Sequence, residues 1–334
     1  MRWASIDIGT NTLRLLIADI DNKIPKRRDK KLKPIIVKRI ITRLGGDYTE
    51  QGGIDREAKE RTIGALKIFS EKIKEYHVKQ VTAVATSVVR RARNREEFLK
   101  NVFEQTGIKV DIISGDEEAR LALLGVLSVI RVGTDFIRQR RTVSRCLVID
   151  IGGGSTEFIA VDSGKIIGAW SMEMGVVHLT EKYIKTDPPT HSELDAMETE
   201  IERIICDLRS TIYDLVFFNP KSEIRNSESE IFVGTAGTIT TLAAIDQKLE
   251  KYESDKINNY ILSYEAIKKI YHHLASLPLK QREEILSLEK GREDIIIPGA
   301  AIVLKAMKMF GFDKMTVSDA GLLEGILLDK IPDC

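Results

Sequence analysis

The sequence predicts an α/β protein made of two similar halves, each with a glycine turn suited to phosphate. Three observations lead there. Asp7-Ile-Gly-Thr-Asn-Thr12 and Asp150-Ile-Gly-Gly-Gly-Ser-Thr156 repeat one pattern, Asp-Ile-Gly at the end of a strand with hydroxyl residues just after. Each lies between two apolar runs and is followed by a further extended segment, Pro34–Leu44 in one half and Lys165–Met172 in the other. A third glycine turn, Gly234-Thr-Ala-Gly-Thr238, stands between a strand-like run and the start of a helix. A repeat spanning about half the chain implies a duplicated architecture, with two sheets facing each other across a cleft.

Length and composition set the bounds. At 334 residues the chain exceeds one typical domain, so two are expected. Apolar residues are 43% and charged residues 30%, an ordinary globular composition. A net charge of +1 gives no global field for nucleic acid or a membrane. No apolar run approaches the roughly 20 residues of a membrane span. The chain enters a strand-like run at Trp3–Ile8 with no signal-peptide pattern. Cys146, Cys206 and Cys334 match no metal or disulfide spacing and read as reduced thiols of a cytoplasmic protein.

In chain order, residues 3–20 are the first strand–turn–strand. The basic stretch Asp21–Lys33 reads as a solvated hairpin tip rather than an anion-gathering arm. Asp55–Tyr76 is an amphipathic helix with Ile63, Leu66, Phe69, Ile73 and Tyr76 as its core stripe. Val81–Thr86 is a buried strand. Arg90, Arg91 and Arg93 follow at its C-terminal end, where open α/β sheets bind ligands. Spacing alone fits a surface basic turn equally well. Asn94 with Glu97 is a capping pair for the next helix, and Val110–Ile113 the next strand. Ser114 and Glu117 form a capping box, which leaves Glu118 free to point elsewhere. On spacing alone the plainer reading is stronger, that Glu118 is a first-turn glutamate favoured by the helix dipole.

The basic connector Arg131–Arg145 marks the domain boundary. The second turn puts Asp150 and Glu157 beside a glycine triplet. Carboxylates with phosphate oxygens are the ligand set Mg²⁺ prefers, and successive amides of such a turn make an anion-holding concavity. Thr190 and Glu193 cap a long helix with Leu194, Met197, Ile201, Ile204, Leu208 and Ile212 buried. After the polar loop Asn219–Glu230 comes the third turn, whose helix start offers free N–H groups to an anion. Ser263–Ser276, Gln281–Leu288 and Pro298–Phe310 read as helices, Met315–Ser318 as a strand and Ala320–Lys330 as a final helix.

The layout resembles the duplicated fold of actin, hexokinase-type kinases and Hsp70 ATPase domains (ASKHA, ribonuclease H-like). One branch is selected by motifs in a fixed order: Asp7–Thr12, Ala85-Thr86-Ser87 with Arg90, Ser114-Gly-Asp-Glu-Glu-Ala-Arg120, Asp150–Glu157, Gly234–Thr241, and Ser318-Asp with Gly321 and Glu324-Gly325. Together they resemble the exopolyphosphatase/guanosine pentaphosphate phosphohydrolase (Ppx/GppA) family over nearly the whole chain. The resemblance implies actin-like domains at 1–130, completed by about 316–334, and at 131–315. It implies Glu118 as the base that activates water. Asp150 and Glu157 are implied to be required and to support Mg²⁺ or another divalent cation, with Asp7 a further candidate ligand. Arg90 is implied to contact phosphate, but not Arg91 or Arg93. The three turns add Thr10, Asn11, Thr12, Gly152, Gly153, Gly154, Ser155, Thr156, Gly237 and Thr238 as phosphate-binding candidates.

The implied substrates are inorganic polyphosphate and guanosine penta- or tetraphosphate, which would link the enzyme to the stringent response. No nucleic acid or membrane partner is expected, and the chain is expected to be a monomer or homodimer. Leu323 departs from the family's frequent Arg, and the chain resembles the short form without a C-terminal HD-type domain. Two other readings stand beside the hydrolase: an actin-fold kinase for a small metabolite, and a non-catalytic polyphosphate or alarmone sensor.

Overall fold

The computed structural model describes residues 1–20, 32–130, 145–212 and 230–331. The basic stretches at 21–33 and 131–145, the loop at 219–230 and Cys334 lie wholly or mostly outside the described residues. The chain divides into two units, residues 1–128 with 320–334, and residues 129–319.

The first unit is built on β1 (Arg2–Ile8), β2 (Thr12–Ile20), β3 (Leu32–Ile41), β4 (Gln80–Ala85) and β5 (Val110–Ile112), in the order β3-β2-β1-β4-β5. The first three strands pair antiparallel, while β4 and β5 run parallel to β1. Parallel neighbours need helical crossovers. These are α1 (Arg56–Glu75), then α2 (Ser87–Arg91) with α3 (Arg95–Thr106). Asp55 caps α1 by accepting from Glu57 N at 2.8 Å and Ala58 N at 3.3 Å. The helix then buries Ile63, Leu66 and Phe69 as its spacing predicts. Phe98 of α3 joins them. Burying each such side chain is worth about 1.5–3 kcal/mol. α4 (Gly115–Val129) follows β5, and α12 (Leu322–Asp329) closes the unit.

The second unit has β6 (Arg145–Ile151), β7 (Thr156–Asp162), β8 (Lys165–Met172), β9 (Glu230–Thr235), β10 (Ile261–Ser263) and β11 (Lys314–Val317), in the order β10-β11-β9-β6-β7-β8. Leaving out the edge strand β10, the order β8-β7-β6-β9-β11 reproduces the first sheet with the same parallel and antiparallel pairs. This is the duplicated actin-like α/β fold. Its helices are α5 (Val176–Tyr183), α6 (His191–Ile212), α7 (Ala236–Asp246), α8 (Ser254–Ile257), α9 (Tyr264–Ser276), α10 (Leu279–Arg282) and α11 (Ile296–Phe310). α11 is buried over most of its surface, as a helix apolar nearly all round must be, with Lys305 and Lys308 its only charged residues.

Four local expectations need correction. Asn94 stands at the N-cap of α3 but its side chain makes no capping bond; it accepts from Ile54 N at 3.0 Å and donates to Ile54 O at 2.9 Å, pinning another loop. Ser114 Oγ accepts from Glu117 N at 3.1 Å, but the Glu117 carboxylate goes to Arg120 rather than back to Ser114. On α6 Ile205 takes the buried position expected for Ile204, which lies at the margin. No helix spans 281–288. α10 is a single turn after Pro278, and the chain continues in turns that sink Arg282 against Asp187 at 3.1 Å.

Candidate active site

In the first unit the β1–β2 turn is closed by Gly9 N–H donating to Thr12 O at 3.2 Å. Thr10, Asn11 and Thr12 are all buried, an unusual place for three polar residues in a turn. The chain after β3 backs this turn. Thr42 and Arg43 N–H donate to Asn11 O at 3.0 and 2.9 Å, and Gly45 N–H to Thr10 O at 2.8 Å. Asp7, at the end of β1, faces Arg14 on β2. Arg14 Nη2 lies 2.5 Å and Nε 2.8 Å from Asp7 Oδ2. Asp7 Oδ1 is buried without a hydrogen-bond partner among the described residues. An unsatisfied carboxylate oxygen costs desolvation free energy, and a hydrated cation or a water would relieve it.

Glu118 sits in the first turn of α4, where its N–H donates to Ser114 O at 2.9 Å. Arg90 of α2 brings its Nη1 to Glu118 Oε2 at 3.1 Å and to Ile113 O at 2.9 Å. The structure thus joins two residues that come from different helices. It separates the neighbouring arginines: Arg91 lies over the Tyr48 ring at 5.5 Å, and Arg93 is exposed.

In the second unit Gly152 N–H donates to Ser155 O at 2.9 Å and closes the β6–β7 turn. Asp150 pairs directly with Glu157 across the strands. Their neighbours complete a row of Ser171, Glu157, Asp150 and Thr235 on one face of the sheet. Glu157 is 2% exposed and accepts from Ser171 Oγ at 2.7 Å. Like charges directly opposite on a sheet are destabilising, so an acid pair here calls for a cation. Two carboxylates flanked by hydroxyls fit Mg²⁺, which takes hard oxygens and leaves positions for phosphate and water. No group of three or more His, Cys, Asp or Glu suited to a metal occurs among the described residues.

Thr156 Oγ1 donates to Met174 O at 2.5 Å, which anchors the turn from behind. Gly153 and Gly154 follow Gly152, and Ser155 is buried. The third turn runs from β9 into α7 through Ala236, whose φ of 71° is in the left-handed region a non-glycine residue rarely adopts. Gly237 O accepts from Thr241 Oγ1 at 2.6 Å, and Thr238 is buried.

Several residues at these turns escape the sequence reading. Arg292 is buried, bonds Glu289 at 2.6 Å, and lays its guanidinium over Gly237, where an added Cβ would overlap it. Its signal was a lone arginine just before the apolar run that becomes α11. Ser171 could have been found by counting cross-strand register from the hairpin. Leu323 is buried with Trp3 and Leu16, so in this chain the position belongs to the core. Glu324 accepts from Gly321 N at 2.8 Å and caps α12.

Comparison with known proteins places these features. Residues 23–334 match the Ppx/GppA phosphatase family. The chain is 35% identical over 98% of its length to a bifunctional 3-dehydroquinate synthase/phosphatase of Fusobacterium nucleatum, of which it spans 46%. It is 30% identical to exopolyphosphatase 2 of Mycobacterium tuberculosis, over 98% of each chain. The crystal structure of the Aquifex aeolicus Ppx/GppA family member is 34% identical, superposes with a TM-score of 0.76, and covers 99% of this chain and 97% of its own. The turn motifs, the duplicated sheets and these matches agree: the chain belongs to the Ppx/GppA phosphatase family.

Proposed function

We propose that this phosphoanhydride hydrolase releases terminal orthophosphate from inorganic polyphosphate, from guanosine pentaphosphate or from both, with Glu118 as the base that takes a proton from the attacking water. The observation that carries this reading is the Arg90–Glu118 pair, 3.1 Å from Nη1 to Oε2. An ionised carboxylate has about four acceptor positions, so the bond to the Arg90 guanidinium does not by itself use up what Glu118 can offer a water O–H. The guanidinium beside it suits a transferring phosphoryl group, which needs charge neutralisation and alignment more than covalent chemistry.

Asp150 and Glu157 are the residues that would hold Mg²⁺; when bound, the ion neutralises phosphate oxygens and orients the substrate. Thr10–Thr12, Gly152–Thr156, Gly237 and Thr238 would hold non-bridging oxygens through amides and hydroxyls. Polyphosphate is the favoured substrate because a relative matched over 98% of both chains is named an exopolyphosphatase. Guanosine pentaphosphate, and with it a part in the stringent response, is the second arm. No helix among the described residues is long and apolar enough to cross a membrane. We place the enzyme in the cytoplasm as a monomer or homodimer.

The test is phosphate release with Mg²⁺ and no acceptor, run in parallel on long polyphosphate, short polyphosphate and guanosine pentaphosphate. E118Q is expected to lose roughly 10²–10⁴-fold in turnover while its melting temperature stays put. Near-wild-type turnover in E118Q would remove Glu118 as the base. Transfer only to an added acceptor would make the protein a kinase, and binding without release a sensor.

A further inference from the structure

A trans peptide is planar, and its C=O and N–H point in opposite directions. Whatever holds the carbonyl of one residue therefore aims the N–H of the next. In the second hairpin Val176 N–H donates to Gly152 O at 3.1 Å, and Val177 N–H to Gly153 O at 2.9 Å. These are the first amides of α5, which have no acceptor inside their own helix. The Gly153 and Gly154 N–H groups are accordingly turned away from α5. They are two consecutive donors aimed the same way, the arrangement that makes an anion nest.

The approach is so close that a side chain does not fit. A Cβ on Gly175 would overlap Gly153 O and Gly154 C. Gly175 has φ −95° and ψ 153°, which any residue adopts, so contact and not conformation demands glycine there. The first unit repeats the device. Residues 42–45 follow β3 as 174–177 follow β8, they tie back Thr10 O and Asn11 O, and a Cβ on Gly45 would overlap Thr10 Cγ2.

We infer that Gly175, Val176 and Val177 form a backbone strap whose task is to set phosphate affinity: by holding the Gly152 and Gly153 carbonyls it turns the Gly153 and Gly154 amides toward the phosphoryl group. They are positioning residues and touch no substrate. Each held carbonyl also polarises its own peptide, which makes the N–H on the other side a better donor. The inference rests on the reading of the β6–β7 turn as a phosphate loop.

The test uses V176P beside V176A. Proline is accepted at the first position of a helix, and Gly175 already has the extended conformation that precedes proline. V176P therefore deletes one N–H and sets its ring Cδ against Gly152 O, releasing that carbonyl, whereas V176A trims the side chain and keeps the N–H. Binding of inorganic phosphate is read on the backbone amide resonances, and KM and kcat are read with tripolyphosphate. V176P should bind phosphate and tripolyphosphate roughly tenfold more weakly than V176A, with kcat of the two within about twofold. In the wild type, phosphate should shift the Gly153 and Gly154 amides most. Equal affinity in the two variants, or wild-type shifts that spare Gly153 and Gly154, would overturn the strap. The failures are separable. Amide shifts without any phosphate release sink the hydrolase and leave the strap; release with equal variants sinks the strap and leaves the hydrolase.

Discussion

In the first hairpin Asp7 faces Arg14 across β1 and β2; in the second Asp150 faces Glu157 across β6 and β7. The positions correspond residue for residue, since Gly9 N–H closes one turn onto Thr12 O and Gly152 N–H the other onto Ser155 O. The rows extending from them differ. Arg39, Arg14, Asp7 and Val84 cross the first sheet; Ser171, Glu157, Asp150 and Thr235 cross the second. One aspartate is neutralised within its own sheet, and the other is set beside a second acid and two hydroxyls. Duplication therefore fixed where an aspartate stands, and the residue opposite decides what it does. The straps differ too, by one residue. They hold the carbonyls of Thr10 and Asn11 in one turn and those of Gly152 and Gly153 in the other, so the donors presented are offset by one position.

The largest effect that would break this contrast is loss of the acid pair. E157Q should lower Mg²⁺-dependent phosphate release at least about 100-fold. It should also abolish the rise in melting temperature that a bound ion gives the wild type. A Mg²⁺-induced rise that persists in E157Q would put the metal elsewhere.

Next in size is the first hairpin. R14M leaves Asp7 buried without its guanidinium and should cost about 3 kcal/mol in urea unfolding, most of it recovered in the D7N/R14M double variant. The Mg²⁺-induced rise should survive in R14M; its loss would erase the distinction between the two hairpins.

The smallest effect lies in the strand-to-helix turns. The second half enters α7 through Ala236 at φ 71°, whereas the corresponding turn of the first half, at Thr86, has no positive φ. A236G should stabilise the protein by up to about 1 kcal/mol. Destabilisation instead would mean that the methyl packs favourably enough to offset the strain.

Much of this was legible in the sequence because it is local. Asp-Ile-Gly between apolar runs appears twice in plain view, and the hairpin register follows from counting across a short turn. The capping pattern at the start of α4 was half legible: Ser114 Oγ accepts from the Glu117 amide, while the Glu117 carboxylate goes to Arg120. What the sequence hid is long-range. Nothing in spacing pairs Arg90 with Glu118, or lays Arg292 on Gly237, because such contacts are made by packing between elements. Asn94 and Glu117 had the right residue types for caps, but a tertiary partner at Ile54 took the Asn94 side chain, and Arg120, one turn along α4, took that of Glu117. The helix expected at 281–288 failed as well. Its apolar residues suit either a helix or a run of turns, and beyond α10 the N–H groups of Glu284, Ile285 and Leu288 reach back only three residues, as in successive turns.

Ser5 Oγ donates to Leu323 O at 2.8 Å, and Leu323 and Leu327 pack on Trp3 and Leu16. The core of the first unit thus joins residues of β1 and β2 to residues more than three hundred positions further along the chain. On the ribosome one face of the β1–β2 hairpin waits for α12, while residues 129–319 have all their own contacts available earlier. Domains form as units as they emerge, so the second unit is set to fold first, while the first unit is still open. A nascent chain stalled before residue 320 would then carry the acid-pair hairpin folded and the Asp7 hairpin exposed to proteolysis.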